Sequence, residues 1–332
     1  MFFSCSSAFC LLTFNFASAH EVYVLSPETI AQAMTMPPLQ VFDIIYNNTG
    51  RFFFWGFIVI WAIFTVLSIS VSKGVERFLD PKLSRLKPYA PLVARTALGL
   101  GLISSALHGA LFGPELPLAF VPFSETILSV ALALIGLSLL LDRGTVYAIL
   151  AFFLLYLTAF ALKGPYMLMY TEYLGLASLS LAASRGRVPY VQSVVSWIRV
   201  HAYMIFRVTF GFALIAASTY AKFIHAELAL QTVIQYRLTD YFPFSPEFIV
   251  LGAFAIELLA GLFIALGIEV RFASLFLLFW LTLSQLYFRE AVWPHIVLFG
   301  SAAALFMHGY DKYTLQWGLM KMRDPHAREP VL

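Results

Sequence analysis

Long apolar runs separated by short polar turns set the pattern of this chain. The first run, FFFWGFIVIWAIFTVLSISV at 52–71, is an uninterrupted apolar stretch. Eight more follow at about 90–112, 124–141, 144–162, 166–183, 200–222, 248–267, 272–288 and 292–309. A helix of about 20 apolar residues crosses the hydrocarbon core of a bilayer. The pattern therefore predicts nine spanning helices and an all-α, polytopic membrane protein in contact with the lipid bilayer. Composition agrees: 61% of the 332 residues are hydrophobic and 12% are charged, against about 45–50% and 25% in a soluble domain. The net charge of +3 carries no nucleic-acid signal.

Residues 1–19 read as a secretory signal, ending in the small-residue site Ala17-Ser18-Ala19. The segment has no Lys or Arg ahead of its apolar part, so an uncleaved anchor is the alternative. Both cysteines, Cys5 and Cys10, lie in it. Its removal would leave no thiol for a disulfide, an iron–sulfur cluster or a cysteine-ligated zinc. Residues 20–50 read as an external arm, and 313–332 as a polar cytoplasmic tail.

The basic residues orient the chain. Lys73, Arg77, Lys82, Arg85 and Lys87 follow the first span directly, which marks the cytoplasmic side. Arg143, Arg185, Arg187, Arg271, Lys312, Lys321, Arg323 and Arg328 fall on that same side when the spans alternate. The loop 113–123 has no Lys or Arg, 223–247 is nearly balanced, and Lys163 is the exception. The expectation is an inner (plasma) membrane protein with its N-terminus outside and its C-terminus in the cytoplasm.

Charges inside the runs point to a site. Ionisable residues are costly at bilayer depth and are candidates for function. Arg207 lies roughly 12 Å from the predicted start of its helix, and Glu257 roughly 15 Å from the cytoplasmic end of the next. Matched depth on consecutive antiparallel helices predicts a buried Arg207–Glu257 ion pair, the candidate catalytic centre. The alternative is that the pair only holds the bundle together. Lys222, Arg95 and His295 are the candidate binding residues around it. His295 and His308 share one run, 13 apart, but His201 and His225, at opposite ends of theirs, supply no matching pair for stacked haems. No metal site, P-loop, GxSxG, HExxH or dinucleotide fingerprint is read.

Two blocks of the chain align with each other. At a shift of 112, Arg95 meets Arg207, Gly99 meets Gly211, Ile103 meets Ile215 and Glu115 meets Glu227. At a shift of 125, Gly136 meets Gly261 and Gly175 meets Gly300. The predicted organisation is a leading span and linker (51–89), a first four-helix unit (90–185), an amphipathic linker (186–199) and a second four-helix unit (200–312). The two units enter from the same side, as parallel repeats.

The second unit carries Arg207 and Gly211 on its first helix and Lys222 near that helix's outer end. It has Glu257, Gly261 and Gly267 on its second helix, Arg271 opening the third, and His308-Gly309-Tyr310-Asp311 after the fourth. In these residues it resembles the DoxX-like family of four-helix membrane proteins, over about 200–315 well and 90–185 faintly. The resemblance implies a membrane subunit close to quinone chemistry, with redox-complex subunits as partners and a quinone as cofactor. On that reading Arg207, Glu257 and Lys222 hold the head-group and Glu257 moves the proton. The other class is a small-solute or ion transporter, or a non-catalytic assembly factor, using the same pair as a gate.

Overall fold

The computed structural model describes residues 82–121, 123–184 and 192–323, with scattered positions between 25 and 67. The expected signal at 1–19, most of the arm, Lys73, Arg77, residues 185–191 and the last residues of the tail lie outside the described residues. After a 3₁₀ turn at Ser84–Tyr89 come α1 (Ala90–Leu107), α2 (Glu125–Leu141), α3 (Thr145–Lys163) and α4 (Thr171–Ala183). Then follow α5 (Gln192–Thr219), α6 (Ala226–Gln235), α7 (Pro246–Leu266), α8 (Val270–Phe288), α9 (Ile296–His308) and α10 (Leu315–Arg323). No strand occurs among the described residues. Helix is the form that satisfies every backbone N–H and C=O within one apolar segment, which hydrocarbon demands.

Five helical stretches are long and apolar enough to cross a membrane: Ser84–Leu107, Thr145–Ala183, Gln192–Ile224, Pro246–Leu266 and Val270–Phe288. Glu125–Leu141 is a shorter apolar helix. The 39-residue stretch Thr145–Ala183 is not one rod. Gly164, at φ +58°, turns the chain there, and the rings of Phe152 and Tyr173 come within 6.4 Å. In a straight helix those residues would stand roughly 30 Å apart. The stretch is a hairpin of α3 and α4 joined by the 3₁₀ turn Gly164–Tyr170.

Several predicted boundaries need correcting. The first unit's last helix starts at Thr171 rather than 166, because the 3₁₀ turn occupies the preceding residues. Helix α5 begins at Gln192, eight residues before the predicted 200, and absorbs the described part of the expected linker. The described part of the tail is also not loose. Thr314 and Trp317 are buried. The Gln316 N–H donates to the Gly267 carbonyl (3.3 Å), and the Gln316 side-chain oxygen accepts from the Glu269 N–H (3.2 Å).

Small residues set the crossings. A Cβ on Gly211 would lie 2.5 Å from the Gly261 carbonyl oxygen, and one on Gly136 would lie 2.6 Å from that of Gly99. So α5 meets α7, and α1 meets α2, backbone to backbone, as closely packed membrane helices do. Gly175 packs α4 on Thr209 of α5, and Gly300 packs α9 on Ala97 of α1. Through the middle runs the succession α9–α1–α4–α5; α2 flanks α1, and α7 flanks α5. Each of these neighbours is antiparallel, so the bundle has two ends. Arg95, Arg199, Arg207 and Arg271 share one of them.

Candidate functional site

At the arginine end, four helices terminate and each meets one guanidinium. Arg95 of α1 pairs with Asp142, the left-handed residue (φ +54°) that closes α2. Arg199 donates to the carbonyls of Leu181 (3.3 Å) and Ser184 (2.9 Å) at the end of α4. Arg207 donates to the carbonyls of Ile264 (2.9 Å) and Ala265 at the end of α7, and to that of Tyr313 (3.0 Å). Arg271 donates to the carbonyls of Phe306 (3.2 Å) and His308 (3.5 Å) at the end of α9. The last carbonyls of a helix lack intrahelical donors and carry the negative end of its dipole. A buried arginine answers both needs.

The expected Arg207–Glu257 pair is not formed. Glu257 pairs instead with Lys222, at 3.0 Å. The cause is register. Gly211 meets Gly261 on antiparallel helices, so Arg207, four residues earlier, stands level with Ala265 in the last turn of α7, beside Gly267, whose Cβ would lie 2.9 Å from its guanidinium. Glu257 is seven residues further back along α7, roughly 10 Å away. Lys222 reaches it because Tyr220–Ile224 is a π-helical turn. Such a turn inserts a residue and re-aims its side chains, and it recurs at functional sites. The pair is largely buried, with Lys222 and Glu257 side chains 11% and 19% exposed. Next to it, His225 Nδ1 lies 3.2 Å from the Glu227 carboxylate, and the Tyr220 ring covers the imidazole of His225.

His295 is elsewhere, in the 3₁₀ turn before α9. Its Nε2 is 2.8 Å from the Glu290 carboxylate, and both side chains are nearly inaccessible. Of the five residues singled out from the sequence, the fold brings only Lys222 and Glu257 together. Arg95, Arg207 and His295 each serve a different place.

Two acids escaped the sequence reading of the site. Glu115, in the loop after α1, and Glu172, in the first turn of α4, line one cavity of about 50 Å³. Phe112, Met169, Tyr170 and Tyr173 close one side, and Ala213, Leu214, Ala217, Pro294 and Leu298 close the other. Glu172 is 3% exposed. A signal for it was present: it is an acid inside the apolar run 166–183, the same criterion that singled out Glu257.

Fold and site define an all-helical, multi-pass membrane protein whose described polar interior falls into an arginine end and an acid-bearing remainder. Compared with known proteins, the chain matches no family model, no curated protein and no solved structure.

Proposed function

We propose that this is a multi-pass membrane protein of duplicated, DoxX-like architecture that carries protons or small ions through its interior. The Lys222–Glu257 pair is its gate. Support for the duplication comes from equivalent contacts. Gly99 against Gly136 matches Gly211 against Gly261. Arg95 at the end of α2 matches Arg207 at the end of α7. Gly175 on Thr209 matches Gly300 on Ala97, so each unit's fourth helix packs on the other unit's first.

The observation that carries the ion reading is the Lys222–Glu257 bridge on a π-helical turn. A largely buried pair of opposite charges can exchange a proton or part to admit an ion. The quinone-linked reading needs Arg207 and Glu257 on one head-group. With both terminal guanidinium nitrogens of Arg207 engaged, one by the end of α7 and the other by the Tyr313 carbonyl, ion handling is the better supported of the two. The positive-inside pattern supports an inner-membrane orientation with the arginine end in the cytoplasm.

The test is a pH- or potential-driven flux assay in proteoliposomes holding the purified chain. Glu257→Gln and Lys222→Gln are expected to abolish or uncouple the flux while the protein stays folded. Wild-type vesicles that leak no faster than empty ones, together with quinone recovered from the purified chain, would return the redox reading to first place.

A further inference from the structure

The cavity between Glu115 and Glu172 lies apart from the Lys222–Glu257 pair, and nothing proposed above uses it. Its depth is set by α5: Ala213 and Ala217, which line it, are eleven and seven residues before the end of the π turn at Ile224. That places the cavity roughly 10–16 Å below that end of α5, level with the end of α1 and the starts of α4 and α9. Glu172 is 97% removed from solvent there. Its Oε2 has no hydrogen-bond partner among the described residues. None of the described residues lining the cavity is Lys, Arg or His. Among the described residues the titratable groups around it are acids and phenols: Glu115 from the loop, Tyr170 from the 3₁₀ turn, Tyr173 from α4 itself and Tyr156 of α3, whose hydroxyl donates to the Met167 carbonyl. The Tyr173 hydroxyl is turned away, donating to the Phe112 carbonyl at 3.0 Å. The facing helices α5 and α9 contribute Ala213, Leu214, Ala217 and Leu298, and the turn before α9 adds Pro294, none of them titratable.

A carboxylate in such a place costs several kcal/mol or more unless something neutralises it. The N-terminus of α4 supplies part of a positive charge, but it gives Oε2 no donor. A cavity of about 50 Å³ is larger than the ~10–15 Å³ that one water needs, so there is space for an ion with a water. The available ligands are hard oxygens, which suit hard cations. Two carboxylates and a phenol fall short of the six to eight oxygens of a Ca²⁺ site or the strict octahedron of Mg²⁺. Two carboxyl groups sharing one dry cavity do not both stay ionised, so the pair carries one negative charge and matches one positive charge.

We propose that this cavity binds one small hard monovalent cation, of Na⁺ size, on the Glu172 carboxylate. Glu115 and the Tyr170 hydroxyl supply further oxygens, and a proton replaces the cation when it is absent. The inference does not depend on Lys222–Glu257 acting as a gate, because it concerns binding and not flux.

The test is equilibrium binding of radiolabelled sodium to the purified full-length chain in mild detergent, at constant ionic strength held with choline chloride. Wild type is expected to bind one sodium per chain. Unlabelled Na⁺ should displace it, Ca²⁺ and choline should not, and acidification should release it. Glu172→Gln is expected to lose the binding, and Glu115→Gln to weaken it. Lys222→Gln, outside the cavity, is expected to retain it. Should Glu172→Gln not fold, Ala217→Leu, which fills the cavity and leaves the carboxylate in place, is expected to lose sodium in its stead. Wild type that binds no sodium, or a folded Glu172→Gln that binds as wild type does, overturns the proposal. Displacement by Ca²⁺ at equal concentration overturns the monovalent assignment.

Discussion

Replacing Arg207 with Met separates the role of helix-end donor from that of ion-pair partner. Met keeps the length and apolar body of the side chain and removes the donors. Three carbonyls are affected: Ile264, Ala265 and Tyr313. Ile264 keeps a second donor, the Gly267 N–H at 3.0 Å, so two carbonyls lose the arginine donor with no such backbone substitute. Both bonds are only part-buried, so each loss costs about the ordinary net worth of a hydrogen bond, ~0.5–1.5 kcal/mol, which gives roughly 1–3 kcal/mol for the two. Relief from burying a guanidinium, itself costly in a low-dielectric interior, brings the expected net loss to about 1–2 kcal/mol. The measurement is thermal or denaturant unfolding in one detergent, run as a double-mutant cycle with Glu257→Gln. The two side chains share no partner and lie roughly 10 Å apart along α7. Their effects should therefore add to within about 0.5 kcal/mol. A coupling energy above about 1 kcal/mol would refute the reasoning and restore the direct pair. A loss below about 0.5 kcal/mol for Arg207→Met alone would refute the helix-end role.

Further outcomes follow from other contacts. Gly211→Ala would place a Cβ 2.5 Å from the Gly261 carbonyl and 2.6 Å from the Ala265 nitrogen. It is expected to destabilise by about 1–3 kcal/mol or more, as overpacking against backbone does, and Gly136→Ala should do the same in the first unit; both are read from unfolding midpoints. Asp142→Gly removes the partner of Arg95, but the carboxylate side is half exposed and glycine suits the left-handed backbone there. A net change within about 1 kcal/mol is expected. Burial raises the Asp311 carboxyl above its ordinary 3.8, so the folded chain holds that proton more tightly than the unfolded one. Its contribution to stability is fully present below 3.8 and is lost as pH rises through the raised value. Asp311→Asn, which keeps an acceptor for the Tyr313 N–H (2.9 Å), should flatten that part of the stability–pH curve. A reporter fused after residue 315 is expected to read cytoplasmic and one near 235 external; a cytoplasmic reading at 235 would overturn the orientation.

The helices were legible in the chain itself. Hydrocarbon leaves helix as the one form in which an isolated apolar segment satisfies its backbone, so a run such as 248–267 could become little other than α7. The hairpin between α3 and α4 was legible for a similar reason, since Gly164-Pro165 interrupts the apolar pattern. The glycines aligned at 99 and 211, and at 136 and 261, were visible as a repeat; that backbones touch there, which only a residue without a Cβ permits, the structure shows. What each charge meets was decided by tertiary structure. The partner of Arg207 depends on the vertical register of α5 against α7, and that register follows from the Gly211–Gly261 contact. That contact sets 207 against 265 and not 257, about 12 Å along α7, enough to exchange Glu257 for the end of a helix. The π turn that gives Lys222 to Glu257 leaves no mark in local composition. The Glu115–Glu172 cavity joins a loop, a 3₁₀ turn and helices from both halves of the chain. Its chemistry exists only once α4 has packed on α5.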